Sequence, residues 1–104
     1  MHKYNEPELI EELSRYVEGT YQQHYSQGAL QATEVIIDAG HGMGFCIGNI
    51  LKYAQRYGKK GGHNRDDLLK VLHYGLMALF VHDKEDSLPG PDGQWEEVGR
   101  PEGQ

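Results

Sequence analysis

Several features that would narrow the class of this protein are missing from its 104 residues. The chain has one cysteine, Cys46, which excludes an intramolecular disulfide and suits a reducing compartment such as the cytoplasm. No apolar run approaches the ~20 residues that a transmembrane helix needs, so we expect no membrane association. Hydrophobic residues make up only 38% of the chain. The length predicts one small domain, and this low value indicates that part of the chain lies outside the core. Cys46, which Ile47 follows, is expected to be a small core residue.

An excess of basic residues is also missing, because the net charge is −6. This balance argues against general nucleic-acid binding, which usually requires a basic domain. The charges are nevertheless unevenly distributed. Residues 45–65 contain five basic side chains and no acidic one. A concentrated basic segment within an acidic protein indicates a local anion-binding site.

The C-terminal segment lacks hydrophobic periodicity. Residues 87–104, SLPGPDGQWEEVGRPEGQ, are rich in Pro, Gly and Glu and cannot bury enough apolar area to offset the entropy of ordering. We therefore predict a flexible, disordered acidic tail, with a partner-docking peptide around Trp95 as the alternative. The chain then divides into an N-terminal amphipathic helix and linker over 1–22, a helical domain over 23–86 that contains the basic segment, and this tail.

The hydrophobic spacing before the tail predicts an all-α fold of about four helices in a small bundle. Helix 1 is expected over about 6–18, with Asn5 and Glu8 as a capping pair and Gly19 as its stop. A short second helix is expected over about 30–39.

The segment EVIIDAGHGMG allows a different interpretation, in which residues 34–38 form a strand. The glycines would then form a phosphate-binding loop, or the metal-binding opening of zinc-dependent cell-wall amidases. The segment resembles the D-x-G-H-G-G motif of those enzymes, with Met43 in place of the last glycine. No partner strand is evident, the Walker ending is missing, and no histidine pair has the spacing of a zinc site. We therefore predict a helix closed by Gly40, a flexible connection with His41 as a polar loop residue, and no zinc.

Residues 45–58 have the clearest helical pattern of the chain. One side of the helical projection is apolar and is predicted to face the core: Ile47, Ile50, Leu51, Ala54 and Tyr57. The opposite side carries an aromatic ring, an amide and three cations: Phe45, Asn49, Lys52, Arg56 and Lys60. The glycines of KKGG are expected to end this helix.

A last helix is predicted to begin with Asn64 as its cap, supported by Asp67, and to end near residue 84. Its predicted core stripe consists of six apolar residues: Leu68, Leu69, Leu72, Leu76, Leu79 and Phe80. Helix 4 has more apolar positions than one buried stripe can hold. A core this small is rarely stable in a single copy. We therefore expect a homo-oligomer.

The cationic side of helix 3 is the candidate binding site. Lys52, Arg56 and Lys60 recur every four residues, so they would point the same way and bind the phosphates of a nucleotide. Phe45 or Tyr53 beside them could stack on a base. The alternative is a solvated helix face without a ligand.

A magnesium ion that arrives with a phosphate needs only one or two protein carboxylates. The candidates for this ion are Glu34 and Asp67, with Asp66 as a further acid. Asp66 and Asp67 are equally well explained as acids in the first turn of a helix.

Several of these residues also fall into a set of short motifs. They are HY at residues 24–25, EVI at 34–36, F-x-x-G-N-x-x-K-Y-x-x-R from Phe45 to Arg56, Lys60, and D-L-x-K from Asp67 with Tyr74 following. The set resembles a small phage-encoded family that was long catalogued only as a domain of unknown function. The resemblance covers about residues 23–80, and Ala32 and Val71 depart from it where the family often has Pro and Ala.

That family includes part of a nucleotide kinase of short-tailed coliphages, which phosphorylates deoxynucleoside monophosphates without a Walker loop. The resemblance implies a phage protein that binds a nucleotide or deoxynucleotide in the cytoplasm of the infected cell, with a kinase-like or other phosphate-handling activity. Arg56 and His24 are then the candidate catalytic residues, with His24 as acid or base and Tyr25 closing over the site. Asn49 would donate to phosphate or sugar. The competing hypothesis is a non-enzymatic phage accessory protein that binds a host protein.

Overall fold

The computed structural model describes residues 3–23 and 27–86, which form four α-helices. The helices are α1 (Glu6–Gln22), α2 (Gln27–Asp38), α3 (Gly42–Arg56) and α4 (Arg65–Asp86). These two ranges contain no strand, apart from an isolated bridge between Lys59 and Gly62 in the turn before α4. The predicted all-α fold is confirmed, and the strand interpretation of residues 34–38 is wrong because they lie within α2. The predictions for His24, Tyr25 and the tail with Trp95 concern residues outside the described ranges.

α1 begins at Glu6 as predicted, but its capping and its C-terminal end differ from the prediction. Asn5 has a φ of 65° and, within residues 3–23, its side chain makes no capping hydrogen bond, so the predicted capping pair of Asn5 and Glu8 is wrong. Instead, the Glu6 carboxylate accepts a hydrogen bond of 3.1 Å from the backbone N–H of Tyr4. Gly19 does not stop the helix, which continues to Gln22. A single glycine inside a helix costs only about 1 kcal/mol relative to alanine, and neighbouring turns can absorb that cost.

The connection between α2 and α3 is short. Gly40 has a φ of +91° and follows the end of α2, as predicted. His41 is exposed at the N-cap of α3, which agrees with its predicted role as a polar loop residue. α3 begins at Gly42, so the predicted flexible connection is in fact the first turn of a helix. A Cβ at Gly42 would lie 3.0 Å from Val81 Cγ2 and 3.1 Å from Ile37 Cγ1, so glycine permits α2, α3 and α4 to approach here.

α3 and α4 form an antiparallel hairpin. α3 ends at Arg56, two residues earlier than predicted, and a turn over residues 57–62 follows. Lys60 therefore lies on this turn, and the prediction that it continues the cationic side of the helix is wrong. The Asn64 side chain accepts a hydrogen bond of 3.0 Å from the N–H of Asp66, which confirms Asn64 as the cap of α4.

The described part of the chain has a very small apolar core. Cys46 on α3 and Val81 on α4 are its buried hydrophobic side chains, with 0% and 1% of their surface exposed. The prediction that Cys46 is a core residue is thus confirmed, and burial raises the pKa of its thiol. Two buried apolar side chains supply far less burial than a stable domain normally needs.

The sides of α3 and α4 that pack together are not the predicted ones. On α3, Ile47 and Leu51 are 45% and 63% exposed, although they were predicted to face the core. The predicted core stripe of α4 is also largely exposed to solvent: Leu68, Leu72, Leu76, Leu79 and Phe80. Helical periodicity shows which residues share a side but not which side another helix covers. Here the hairpin packs through rings and a glycine, because Gly42 permits close approach and Tyr74 contacts the rings of Phe45 and Tyr53.

α1 and α2 contact the hairpin through polar and aromatic groups. The guanidinium of Arg65 donates two hydrogen bonds to the Glu12 carboxylate, at 2.8 and 2.6 Å, and these join α1 to the start of α4. The Lys84 ammonium lies 3.4 Å from Asp38 Oδ1 and joins α4 to the end of α2. Within the described ranges, no helix combines the length and the apolar character needed to cross a membrane.

Candidate anion-binding site around Tyr53

Tyr53 is held rigidly at the interface between α3 and α4. Its ring is parallel to the ring of Tyr74, with 7° between the planes and 6.1 Å between the centroids. Phe45 packs edge-on against the same Tyr74 ring at 5.8 Å. Both arrangements are favourable for aromatic pairs. The position of Tyr53 is therefore fixed by the contact that holds the hairpin together.

Three cationic side chains surround the Tyr53 ring. The ammonium of Lys52 lies 5.0 Å from the ring centroid, the Arg56 guanidinium 5.4 Å and the Lys70 ammonium 5.8 Å. Each distance is within the range of a cation–π interaction. Two of these residues belong to α3 and one to α4, so the hairpin itself brings the three charges together. We call Tyr53, Lys52, Arg56 and Lys70 the cation cluster.

No carboxylate of the described residues forms an ion pair with a cation of the cation cluster. The basic residues that do form ion pairs lie elsewhere: Arg15 with Glu11, Arg65 with Glu12, and Lys84 with Asp38. Three like charges around one ring repel each other, and a bound polyanion would relieve this repulsion.

Lys70 is anchored from the side of α1. Its ammonium donates a hydrogen bond of 3.2 Å to the Tyr16 hydroxyl and lies 5.7 Å from the Tyr16 ring. Partial burial acts to lower the pKa of Lys70, but the Tyr16 hydrogen bond and the nearby Asp66 carboxylate outweigh it, so the pKa is raised overall. Lys70 is therefore a fixed positive charge at neutral pH.

A neutral histidine lies next to this charge. The His73 ring packs edge-on against Tyr16, with 6.0 Å between centroids. Burial and the positive charge of Lys70 both lower the pKa of His73, so its imidazole is uncharged at neutral pH. Burial also raises the pKa of Tyr74, which stays protonated as a phenol. The aromatic groups beside the cation cluster thus add no positive charge but offer ring faces and hydrogen-bonding atoms.

Two open clefts adjoin these residues between α1, α2 and α4. The smaller one, of about 540 Å³, is bordered by Lys70 and Tyr74 and so begins at the edge of the cation cluster. The larger one, of about 690 Å³, has a mostly apolar lining. The clefts share Tyr21, Leu30, Thr33, His73 and Met77. Both volumes are within the range of small-molecule sites.

The structure brings together only part of the predicted phosphate site. Lys52, Tyr53 and Arg56 lie together as expected. Phe45 instead packs on Tyr74, and the Asn49 side chain donates a hydrogen bond of 2.9 Å to the Phe45 carbonyl within its own helix. In the described part of the chain no contact links Lys60, on its turn, to the Tyr53 ring.

The two predicted magnesium ligands lie in different surroundings. Glu34 is exposed on α2 and lines the larger cleft. Asp67 is only 4% exposed, lines neither cleft, and its Oδ2 accepts no hydrogen bond from any described residue. The described residues also contain no group of three or more His, Cys, Asp or Glu side chains arranged for a metal ion. The two carboxylates are therefore not arranged as a shared ligand set.

The sequence-based prediction missed the contribution of α1 and α4. The predicted site residues did not include Lys70, Tyr74, His73 or Tyr16. Two of these, Lys70 and Tyr74, nevertheless belong to the motif D-L-x-K and the tyrosine that follows it. These two residues are four apart, which places them on one side of a helix. Pairing that side with the Lys52–Arg56 side of α3 would have completed the cluster.

These observations define a small all-α protein whose α3–α4 hairpin carries a cation–aromatic cluster without an ion-paired carboxylate among the described residues, beside two clefts. The chain matches the family model DUF3310, described as a protein of unknown function, over residues 19–75, and it belongs to this family. The matched segment includes α2, α3 and the first half of α4, and hence Lys52, Tyr53, Arg56 and Lys70. No curated protein and no solved structure matches the chain.

Proposed function

We propose that the cation cluster binds the phosphate groups of a nucleotide. The observation that carries this proposal is the position of three cations around the ring of Tyr53 with no carboxylate partner among the described residues. Phosphate oxygens are strong acceptors, and a guanidinium can bind two of them at once. The hairpin pre-positions the charges, so little ordering is needed when the ligand binds.

The smaller cleft suggests where the rest of the nucleotide lies. It begins at Lys70 and Tyr74 and contains the rings of Tyr16 and His73, which can stack on a base. A phosphate on the cation cluster would direct the sugar and base into this cleft. The resemblance to the phage nucleotide kinase favours a deoxynucleotide, and a phage protein of the infected cytoplasm, over other phosphate compounds.

The finer proposal is that the site handles a phosphoryl group as well as binding it. Phosphoryl transfer depends mainly on positioning and on neutralising the charge of the transferred group, and the cation cluster offers both. Arg56 is then the residue that stabilises the developing charge, with Lys52 and Lys70 holding the bound phosphates. His24 is the proposed acid or base. A magnesium ion, if the reaction uses one, would be bound chiefly by the phosphates, with Glu34 as the accessible protein carboxylate beside a cleft.

Replacing Arg56 tests the binding proposal. Arg56→Ala removes a charged hydrogen-bond donor, which is worth about 1.5–3 kcal/mol when its partner is an anion. We expect the dissociation constant for a deoxynucleoside monophosphate to rise by roughly 10-fold to 100-fold in isothermal titration calorimetry. Lys59→Ala is the matched control, because Lys59 carries the same charge nearby but contacts Gln55 instead of the Tyr53 ring.

The two variants separate a specific site from general attraction. Equal weakening by Arg56→Ala and Lys59→Ala would indicate that only the net charge matters. Unchanged binding in Arg56→Ala would remove Arg56 from the site. Transfer of phosphate from a nucleoside triphosphate to a deoxynucleoside monophosphate, followed by chromatography, tests the enzymatic proposal separately. Binding without transfer would leave the protein as a nucleotide-binding module.

A further inference from the structure

The exposed side of α4 has the spacing of a coiled-coil seam. Leu69, Leu72, Leu76 and Leu79 follow one another at intervals of three, four and three residues. This is the a/d spacing of a heptad repeat, in which helices pair through two apolar positions in every seven. The same spacing continues to Arg65 on one side and to Asp83 on the other. We call these six residues the α4 seam.

The rest of the described chain covers the α4 seam only in part. Leu72, Leu76 and Leu79 are 51%, 44% and 61% exposed. Leu68 and Phe80 flank the seam and are also exposed, which widens the apolar surface beyond scattered single residues. The fully buried hydrophobic side chains of the described residues are only Cys46 and Val81, so the missing burial must come from outside them.

The charged residues at the two ends of the seam favour an antiparallel orientation of two α4 helices. When the two α4 helices are antiparallel and centred on residue 74, Leu72 faces Leu76, Leu69 faces Leu79 and Arg65 faces Asp83. Every pair then joins an a position to a d position, as antiparallel coiled coils require. A parallel pair would place Asp83 against Asp83 and Arg65 against Arg65, and like charges at such short range are unfavourable. Arg65 also binds Glu12, but 64% of its side chain remains exposed for a second partner.

We propose that a second copy of this chain covers the α4 seam, forming an antiparallel two-fold dimer in which Leu72 of each copy packs against Leu76 of the other. A two-fold axis is the commonest symmetry of protein oligomers and requires a self-complementary surface, which the seam provides. The proposal is independent of nucleotide binding. Lys70 and Tyr74 of the candidate site lie on other sides of α4 and remain accessible in the dimer.

The oligomeric state of matched variants tests which surface associates. We expect wild-type protein to elute with at least twice the 11.8 kDa chain mass in light scattering coupled to size exclusion. Leu72→Glu should elute as a monomer, because it places a carboxylate at the centre of the seam in each copy. Leu51→Glu, at an apolar position of α3 that is 63% exposed, should remain dimeric. A monomeric wild type, or dissociation by Leu51→Glu and not by Leu72→Glu, would overturn the proposal.

Cysteine cross-linking tests the orientation and does not depend on the stability of a charged variant. Disulfides require Cα atoms about 4.4–6.8 Å apart. A mixture of Leu72→Cys and Leu76→Cys proteins should form cross-linked pairs under mild oxidation, whereas each protein alone should form few. The native Cys46 is buried and is expected to stay unreacted. Efficient cross-linking of each variant with itself would indicate a parallel pair, and no cross-linking in any mixture would show that the seam is not the interface.

Discussion

The two sides of α4 differ in both composition and burial. The side that packs against α3 carries Asp67, Tyr74 and Val81 at intervals of seven residues, and all three are buried or half-buried. The opposite side carries the leucines of the α4 seam, and three of them are at least 44% exposed. The inner side thus has one ring, one carboxylate and one β-branched residue at these positions, while the leucines of the helix face outward.

This difference indicates that the inner side of α4 contributes to the candidate site and the outer side to apolar burial. The inner side positions the Tyr53 ring and the ammonium of Lys70 for the candidate site. Because these polar and aromatic groups occupy the helix interface, little apolar surface is buried there. The outer side supplies the apolar area that the inner side lacks. A chain of this size can combine a polar site with a stable fold when a second copy completes its burial.

The sharpest test of this comparison truncates one residue on each side. Val81→Ala removes two buried methyl groups and should lower the free energy of unfolding by about 2 kcal/mol, with little dependence on protein concentration. Leu79→Ala truncates an exposed seam residue, so its destabilisation should be marked at high protein concentration and nearly absent under conditions where the chain is monomeric. Denaturant unfolding at two protein concentrations measures both effects.

A different dependence on protein concentration would contradict the assignment of Val81 to the inner side and Leu79 to the outer side of α4. If Leu79→Ala weakened the protein equally at all concentrations, Leu79 would belong to the core of a single copy. If Val81→Ala acted only at high concentration, the packing of α4 against α3 and α2 would be the weaker contact.

Two glycines of α3 provide a smaller and more local test. Gly42→Ala places a Cβ 3.0 to 3.3 Å from Val81 and Ile37, and the overpacking should cost more than the ~1 kcal/mol that alanine gains in a helix, for a net loss of about 1 kcal/mol. Gly48→Ala, in the same helix with no atom within 4 Å of the new Cβ, should instead stabilise by about 0.5–1 kcal/mol. Thermal unfolding compares the two signs directly. A gain of stability in Gly42→Ala would show that the close approach of α2, α3 and α4 can relax without loss.

The sequence predicted the elements of this fold better than their contacts. Helical spacing located all four helices, and Asn64 was recognised as a cap because a side-chain acceptor at that position satisfies a free N–H of the first turn. Spacing could not show that the apolar side of α3 would face solvent, because the side covered by a neighbour is decided by tertiary packing. The tolerance of α1 for Gly19 and the left-handed backbone of Asn5 were likewise not readable from local propensity.

The candidate site was predictable only where one helix carries it. Lys52 and Arg56 share a side of α3, so helical spacing alone brings them together. Lys70 reaches the same ring from α4, and this meeting depends on which residues of the hairpin lie opposite each other. Lys60 was wrongly placed because the end of α3 falls before it, and helix ends are the least certain part of any assignment from spacing.

The smallest expected effect concerns His73, which lies between the two sides of α4 and borders both clefts. Burial and the charge of Lys70 lower its pKa in the folded state below the ordinary value of 6.5. Above pH 6.5 the imidazole is neutral in both states and has no effect on stability. As the pH falls below that value, the unfolded chain takes up the proton more readily, so the folded state loses stability until its own lower pKa is reached. We therefore expect His73→Gln to lose less thermal stability than wild type between pH 7.5 and pH 5.5. Equal slopes in wild type and His73→Gln would show that the imidazole is hydrated in the folded protein, and that the cleft beside Lys70 is open to water at this point.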